Sequence, residues 1–253
     1  MTRYFDPGAQ RSAKVRELFN RIAARYDLLN DLQSLGLHRF WKRRLVRLAA
    51  VGPGSRALDL CCGTCDVAIA LARAGADVVG LDFSEAMLEV ARKRTARRAQ
   101  GHPERAHGPL KFMLGDALRV PFPDNTFDAV TIGYGLRNLA SVEQGLAEMC
   151  RLAKPGGRLL VLDFGKPHRA WWRLACFAYL RRVVPLFGWL FGSGPDAYSY
   201  ILESLEHYPA QTGVAGIMQR LHIADLAIAD FLGGAMSIHC AKKNETRPPQ
   251  LSI

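Results

Sequence analysis

From Arg56 onward the sequence switches repeatedly between two hydrophobic periods. Short aliphatic runs read as buried strands: "RALDLCC", "ADVVGLD", "LKFMLGD", "FDAVTIGYG" and "KPGGRLLVLDF". Between most of them stand segments with helical spacing, "DVAIALARAG", "SEAMLEVARKRTARR" and "SVEQGLAEMCRLA". Ser84 is placed to cap the second of these helices. Strands that alternate with helices predict an α/β fold, because a parallel strand needs a crossover and the crossover helices cover both faces of the sheet. "IADLAIADF" and "AMSIHCAKK" follow as two short strands close enough to pair antiparallel. The expectation is a mostly parallel seven-stranded sheet whose last strand is antiparallel, with helices on both faces.

The flanks depart from this rhythm. Val15, Leu18, Phe19, Ile22 and Tyr26 recur at helical spacing, which predicts an amphipathic helix over 13–26. A second helix, rich in Arg and Lys, is expected over 38–50, and "VGPGS" marks a boundary after it. Residues 1–50 therefore read as a helical N-terminal appendage and 51–243 as the main domain. Residues 167–222 read as a helical insertion over the sheet, and 244–253 as a flexible tail.

The 253 residues carry a net charge of +11, which favours an anionic partner: nucleic acid, an acidic membrane surface or an acidic substrate. The N-terminus has no apolar signal-like run. The richest apolar stretch, 174–191, is interrupted by Arg181, Arg182 and Pro185 and does not read as a membrane span. Six cysteines are too few for a disulfide scaffold, so the chain is expected in the cytoplasm with reduced thiols.

Ligands of doubly wound sheets bind beyond the carboxyl ends of the strands, and the loop after the first strand reads "CCGTCD". As a zinc site it offers at most three thiolates and no second close pair, so no metal is expected. As a redox pair, "CGTC" at a helix start is chemically reasonable but leaves the rest of the chain unexplained. The plain reading is that Cys61, Cys62 and Cys65 are small packing residues. A nicotinamide cofactor would need G-x-G-x-x-G, and only Gly63 is present. The loop better suits a cofactor of similar size without a pyrophosphate, such as S-adenosylmethionine. Asp82, nineteen residues after Gly63, can accept bonds from both ribose hydroxyls. Asp116, closing the third strand, can receive an adenine amino group beside the Ala117 N–H. Each carboxylate alone is equally an ordinary turn residue.

Taken together these stations resemble class I S-adenosylmethionine-dependent methyltransferases, with their Rossmann-like fold. The blocks "FNRIAARYDLLNDLQSLGLHRFWKR", "LDLCCGTCD", "VVGLDFSEAML", "GDALRVPFPDNTFDAVTIGYGLRN", "KPGGRLLVLDFGKP" and "DAYSYILESLEHYP" resemble the ubiquinone/menaquinone biosynthesis C-methyltransferase family over about Phe19 to Lys242. The resemblance implies C-methylation of a polyprenylated quinol precursor. It implies Thr64, Asp82, Asp116, Ala117 and Gly133 as cofactor positions beside Gly63. It places Arg137 and Asn138 next to the ring to be methylated, Tyr26 and Asn30 in a lid block within 1–50, and Tyr198 and Tyr200 in a matching stretch of the insertion. Cys65 stands where the family often has glycine, Gly133 where it often has serine, and Asp163 where it commonly has glutamate.

A neutral quinol carbon is a weak nucleophile and its phenolate a strong one, so the expectation is that the Arg137 guanidinium favours the phenolate and that Arg137 and Asn138 hold the ring hydroxyl, or a water that takes its proton; by itself Arg137 reads equally as a surface or strand-end salt bridge. "RFWKRRLVR" (39–47) and "RAWWRLACFAYLRRVVPLFGWLF" (169–191) mix cations with aromatics, which suits peripheral contact with an anionic membrane; the plain alternative is buried helices of the insertion whose arginines reach out to water. "RKRTARR" (92–98) is expected to be a solvated helix face. Competing readings are a methyltransferase of another lipid or phenol, an NAD oxidoreductase, and an RNA-binding protein. Nucleic acid is not an expected partner, since the aromatics cluster in apolar runs and "NPPY" is absent. Naphthoquinone and benzoquinone substrates, and a homo-oligomer, stay open.

Overall fold

The structure, a computed structural model, describes residues 9–101, 108–190, 196–221 and 223–245. Seven strands form one sheet: β1 (Arg56–Leu60), β2 (Asp77–Asp82), β3 (Leu110–Leu114), β4 (Phe127–Gly133), β5 (Ala153–Phe164), β6 (Ala224–Phe231) and β7 (Met236–Lys242), in the order β3-β2-β1-β4-β5-β7-β6. The pairs from β3 through to β5 are parallel, and β7 runs antiparallel to both β5 and β6. The expected sheet is present, and its last strand is inserted between β5 and β6.

Period-two alternation on strands buried on both sides sorts the core into two layers. Leu159 and Val161 of β5 point to one face, where α6 (Val142–Leu152) and α9 (Ala210–Arg220) pack with Leu146, Met149, Val214 and Met218. Leu160 and Leu162 point to the other, against α3 (His38–Ala49) and α4 (Asp66–Arg73). Trp41 and Leu45, one turn apart on α3, are buried in that second layer. Each such side chain contributes roughly 1.5–3 kcal/mol by leaving water, which fixes α3 to the sheet.

The helix expected over 13–26 is broken. α1 (Ala9–Ile22) gives way to a 3-10 turn at Ala23–Arg25, and Tyr26 opens a new helix, α2 (Tyr26–Ser34). Arg25 leaves helical geometry at φ −113°, ψ 1°, which redirects the chain. α2 stops where Leu35 and Gly36 both take positive φ, and α3 follows. Beyond β5, α7 (Ala170–Leu190) packs against α8 (Asp196–His207) and α2, while α9 packs on β6, β7 and α6. Val15 and Leu18 of α1, Leu29 of α2 and Tyr200 of α8 form a third apolar cluster that reaches Phe83, just past the end of β2. Between β2 and β3 lies α5 (Glu85–Gly101), capped as expected by the Ser84 hydroxyl, which accepts from the Met87 N–H at 3.2 Å. The tail beyond residue 245 lies outside the described residues. Among the described residues no helix is long and apolar enough to cross a membrane.

Candidate active site

The strand register brings the functional loops level. Leu60 pairs with Leu81 and with Ile132, and Asp82 with Leu114, so the ends of β1, β2, β3 and β4 open on one rim. This rim borders a cleft of about 560 Å³, walled by Gly63, Asp82, Asp116, Ala117, Gly133 and Asn138. Asp82 is held for display. Its Oδ2 accepts the Gly63 N–H at 2.8 Å and its Oδ1 the Ser84 N–H at 2.9 Å. Burial pushes its carboxyl up to about 6, and the Ser84 and Gly63 donors pull partly the other way. Behind the loop, burial lifts Asp59 further, to about 7, against a bond from the Thr131 hydroxyl at 2.7 Å. Asp116 is exposed, with Oδ1 accepting the Leu118 N–H at 2.9 Å. Gly133 leaves the cleft wall open: a Cβ there would meet Val67 at an ordinary 3.7 Å.

The cysteine loop resolves into three packing residues. All six cysteines are free thiols. Burial pushes Cys61 and Cys62 well above the usual thiol range, which disfavours the thiolate that redox chemistry needs. Cys65 takes φ 69° as it enters α4, and its sulfur is buried 3.7 Å from the Ala91 carbonyl, toward α5 and off the cleft wall. Cys61 also takes positive φ, 52°, and it does line the cleft. Left-handed geometry at a residue with a Cβ costs about 1–3 kcal/mol, so the surrounding packing must hold this turn.

Thr64 sits in the loop but turns from the cleft to α2. Its buried hydroxyl donates to Asp27 of α2 at 2.6 Å. The other Asp27 oxygen accepts Arg94 Nη1 at 2.7 Å; Arg94 also reaches the Thr64 carbonyl at 2.8 Å and Asp66 at 2.5 Å. Lys42 of α3 completes the cluster at 2.9 Å from Asp66. Arg94 therefore leaves the solvated face expected for "RKRTARR" and joins α5 to α2 and the loop.

A second, mainly apolar cavity of about 420 Å³ lies between α1, α2, α3, α7 and α8. Phe19, Tyr26 and Tyr134 wall both spaces, so the two chambers meet there. The Tyr26 ring stands 3.7 Å from where a Cβ on Gly63 would be. Arg137 and Asn138 share the 3-10 turn Leu136–Asn138, whose tight pitch separates neighbours. Arg137 lines the apolar cavity and Asn138 the cleft. Arg137 is buried. Its Nη1 donates to Asp163 at 2.9 Å and to the Tyr134 carbonyl at 2.7 Å, and its guanidinium lies 5.0 Å from the Phe164 ring centre. Asn138 donates to the same carbonyl at 3.1 Å and accepts the Tyr200 hydroxyl at 2.7 Å. Asn30, one turn after Tyr26, lines the apolar cavity, and its buried Nδ2 has no hydrogen-bond partner. Tyr198 lies on α8, and its side chain falls outside the described ones.

The structure thus gathers Gly63, Asp82, Asp116, Ala117, Gly133 and Asn138 at one chamber and Asn30, Arg137 and Tyr200 at the other, with Tyr26 between. Sequence reasoning missed Asp27 and Arg94, which are 67 positions apart and meet only through the fold. It also passed over Tyr134 as a strand residue.

Comparison with known proteins gives the family. A family model described as the ubiE/COQ5 methyltransferase family matches residues 8–243. The chain is 36% identical over 239 residues to the demethylmenaquinone methyltransferase of Desulfitobacterium hafniense, covering 93% of this chain and 92% of the relative. It is 38% identical over 236 residues to the ubiquinone/menaquinone biosynthesis C-methyltransferase UbiE of Azotobacter vinelandii, covering 92% and 91%. A solved S-adenosylmethionine-dependent methyltransferase from Thermotoga maritima shares the fold at TM-score 0.61 and 17% identity, over 91% of this chain and 100% of that one. The chain, with its strand order, glycine loop and "GLRN" turn, belongs to the ubiE/COQ5 methyltransferase family.

Proposed function

We propose that this protein methylates a ring carbon of a polyprenylated quinol precursor, demethylmenaquinol or its benzoquinol counterpart, with S-adenosylmethionine as donor. The observation that carries this reading is the meeting of a carboxylate-rimmed cleft with an apolar cavity at Phe19, Tyr26 and Tyr134. The cofactor fits the residues present: Gly63 and Gly133 put no side chain on the wall, and Asp82 is a buried carboxylate at the rim. Bound there, S-adenosylmethionine supplies an electrophilic methyl group on a sulfonium sulfur.

The chain's own residues then divide the work. Asp82 accepts from ribose hydroxyls, while Asp116 and the Ala117 N–H face the adenine. Phe19 and Tyr26 exclude water, which strengthens every polar contact inside. Arg137 and Asn138 flank the junction and orient the ring hydroxyl. Asp163, 2.9 Å from Arg137, offsets much of the guanidinium charge. Arg137 therefore positions that hydroxyl more than it acidifies it.

The cavity mouth suits a substrate drawn from a bilayer. Leu35, Leu37 and Leu232 line the cavity and are also exposed, and so are Trp171 and Leu174 of α7, next in sequence to the cavity-lining Trp172 and Ala175. Arg39, Arg43, Arg44 and Arg47 lie exposed on α3, beside the exposed Phe40. Cations with aliphatic and aromatic side chains match an anionic interface, and peripheral docking there is part of the proposal.

Quinones from cells that lack the activity, before and after this protein is supplied, test the reading by mass spectrometry. Gain of one methyl on the ring of either quinone supports it. No gain in either, from protein that binds S-adenosylmethionine in calorimetry, overturns the quinol assignment and leaves another phenol or lipid as acceptor.

A further inference from the structure

The apolar cavity contains an acid–base pair that the roles above do not use. His38, the first residue of α3, lines the cavity and is only 3% exposed. Its Nε2 lies 2.8 Å from Asp31 Oδ1 of α2, and its Nδ1 is buried with no hydrogen-bond partner. Asp31 is in turn held by Arg39, at 2.8 Å from Nε and 2.5 Å from Nη2. A carboxylate on one ring nitrogen selects the tautomer with the proton there and leaves the other nitrogen as an acceptor. The sequence places this pair securely: the Ser34 hydroxyl accepts from the His38 N–H at 3.2 Å, closing the turn from α2 to α3.

Resting on the quinol reading, the geometry points to His38 Nδ1 as the proton acceptor for the ring hydroxyl, with Asp31 as its positioning residue. The O–H bond breaks, an N–H bond forms at Nδ1, and the electron pair stays on oxygen and flows into the ring. Over a turnover the ring carbon exchanges its hydrogen for the methyl, and that hydrogen leaves as a proton to solvent. The imidazolium returns its own proton to the ring oxygen and is reset. One proton is released and no oxidant or reductant is needed. Among the described walls, Arg137 and Lys166 are cations, burial raises the Tyr134 and Tyr208 hydroxyls well above the usual phenol range, and burial also raises Tyr179 and the Cys176 thiol.

The electrostatics suit a base. Burial lowers the His38 pKa first, and Lys42, one turn on, lowers it further; Asp31 and the more distant Asp66 act the other way. Arg137 and Lys166 line the same cavity, and Asp163 holds the Arg137 guanidinium. The ring is therefore neutral at neutral pH, and Asp31, kept ionised chiefly by Arg39, stabilises the charge that forms during the step.

The plain alternative is that His38 only clamps α2 to α3. His38→Gln separates the two, because the Gln amide can still donate to Asp31 but cannot take a proton. With anaerobic demethylmenaquinol, the wild type is expected to show an acid limb in kcat below the ordinary histidine pKa. His38→Gln should keep its circular dichroism and its S-adenosylmethionine affinity within about twofold, lose that limb, and lower kcat by roughly 100-fold or more, the usual scale of general-base catalysis. Without cofactor, adding the quinol to protein labelled with ¹⁵N at histidine should shift the His38 Nδ1 resonance of the wild type. A His38→Gln variant with wild-type kcat and an intact limb overturns the assignment while the quinol reading stands. A wild type that methylates no quinol overturns both.

Discussion

The two chambers are built by different means. The cleft proposed for the cofactor is made where consecutive strands end, by backbone N–H groups and short carboxylates within a few positions of a glycine. The apolar cavity is made by helices from two distant parts of the chain, α1 to α3 before the sheet and α7 and α8 after β5. A parallel sheet sets the first chamber's geometry through its register, so a few local residues suffice. The second has no such frame, and its polar residues are fixed across elements: Arg137 by Asp163, Tyr200 by Asn138, His38 by Asp31. Substitutions on the cleft side should therefore act on ligand affinity, and those on the cavity side on fold and turnover together.

The largest effect is expected from Arg137→Ala. It would leave Asp163 almost fully buried without its cation, and breaking such a pair by removing one partner destabilises by about 3–5 kcal/mol. Denaturant unfolding should show this loss, and Arg137→Ala combined with Asp163→Asn should recover much of it. In the folded double variant turnover should stay severely reduced while S-adenosylmethionine affinity is nearly unchanged, because Arg137 faces only the apolar cavity. A matching loss of cofactor affinity would break the separation of the chambers.

Asp82→Ala is the complementary change. Two hydrogen bonds to a charged carboxylate, each worth about 1.5–3 kcal/mol, would be lost, so cofactor affinity should fall by roughly 100-fold or more in calorimetry. The pH dependence sharpens this. With its carboxyl raised to about 6, Asp82 is increasingly protonated below that value, and a protonated carboxyl accepts ribose hydroxyls less well. Affinity should rise with pH through about 6 and then level off. Stability without ligand should run the other way over about pH 4–6: the unfolded chain has lost this proton and the folded one retains it, so stability falls as pH rises. A flat affinity profile across that range would remove Asp82 from the binding step.

How much was legible follows from the same contrast. Short apolar runs and their turn residues marked every strand, and the polar stations at strand ends lay within short windows around Gly63, Asp82 and Asp116. α2 was not read, because the break at Ala23–Arg25 contains no glycine or proline to announce it. Cys61 and Cys65 show the reverse limit: both adopt the backbone geometry that glycine favours, and only coordinates reveal that the Cys65 sulfur turns to α5 and away from the cleft. The Asp27–Arg94 contact spans 67 positions with no motif of its own, so nothing local could signal it.

That contact carries the smallest prediction and the one that probes how the chambers communicate. Asp27 ties α2 to the Thr64 hydroxyl and to Arg94, so the proposed lid and the loop after β1 are joined by one cluster. Arg94 is 23% exposed and Asp27 36%, so solvent screening limits their pairing to about 1 kcal/mol or less. Asp27→Asn keeps an acceptor for Thr64 and removes only the charge. It should speed cofactor dissociation severalfold in stopped flow and raise hydrogen exchange in α1 and α2, leaving β1 and β2 unaffected. The neighbouring Asp66 is held well below the usual carboxylate range, since Lys42 and Arg94 outweigh its burial. A depressed folded pKa gives stability that is fully present above about pH 4 and lost as pH falls through the folded value. The cluster should thus hold at neutral pH and fail only in strong acid. Unchanged exchange in α1 and α2 of Asp27→Asn at neutral pH would mean that the lid is held by apolar packing around Phe19 and Leu29 alone, with no electrostatic link to the cofactor loop.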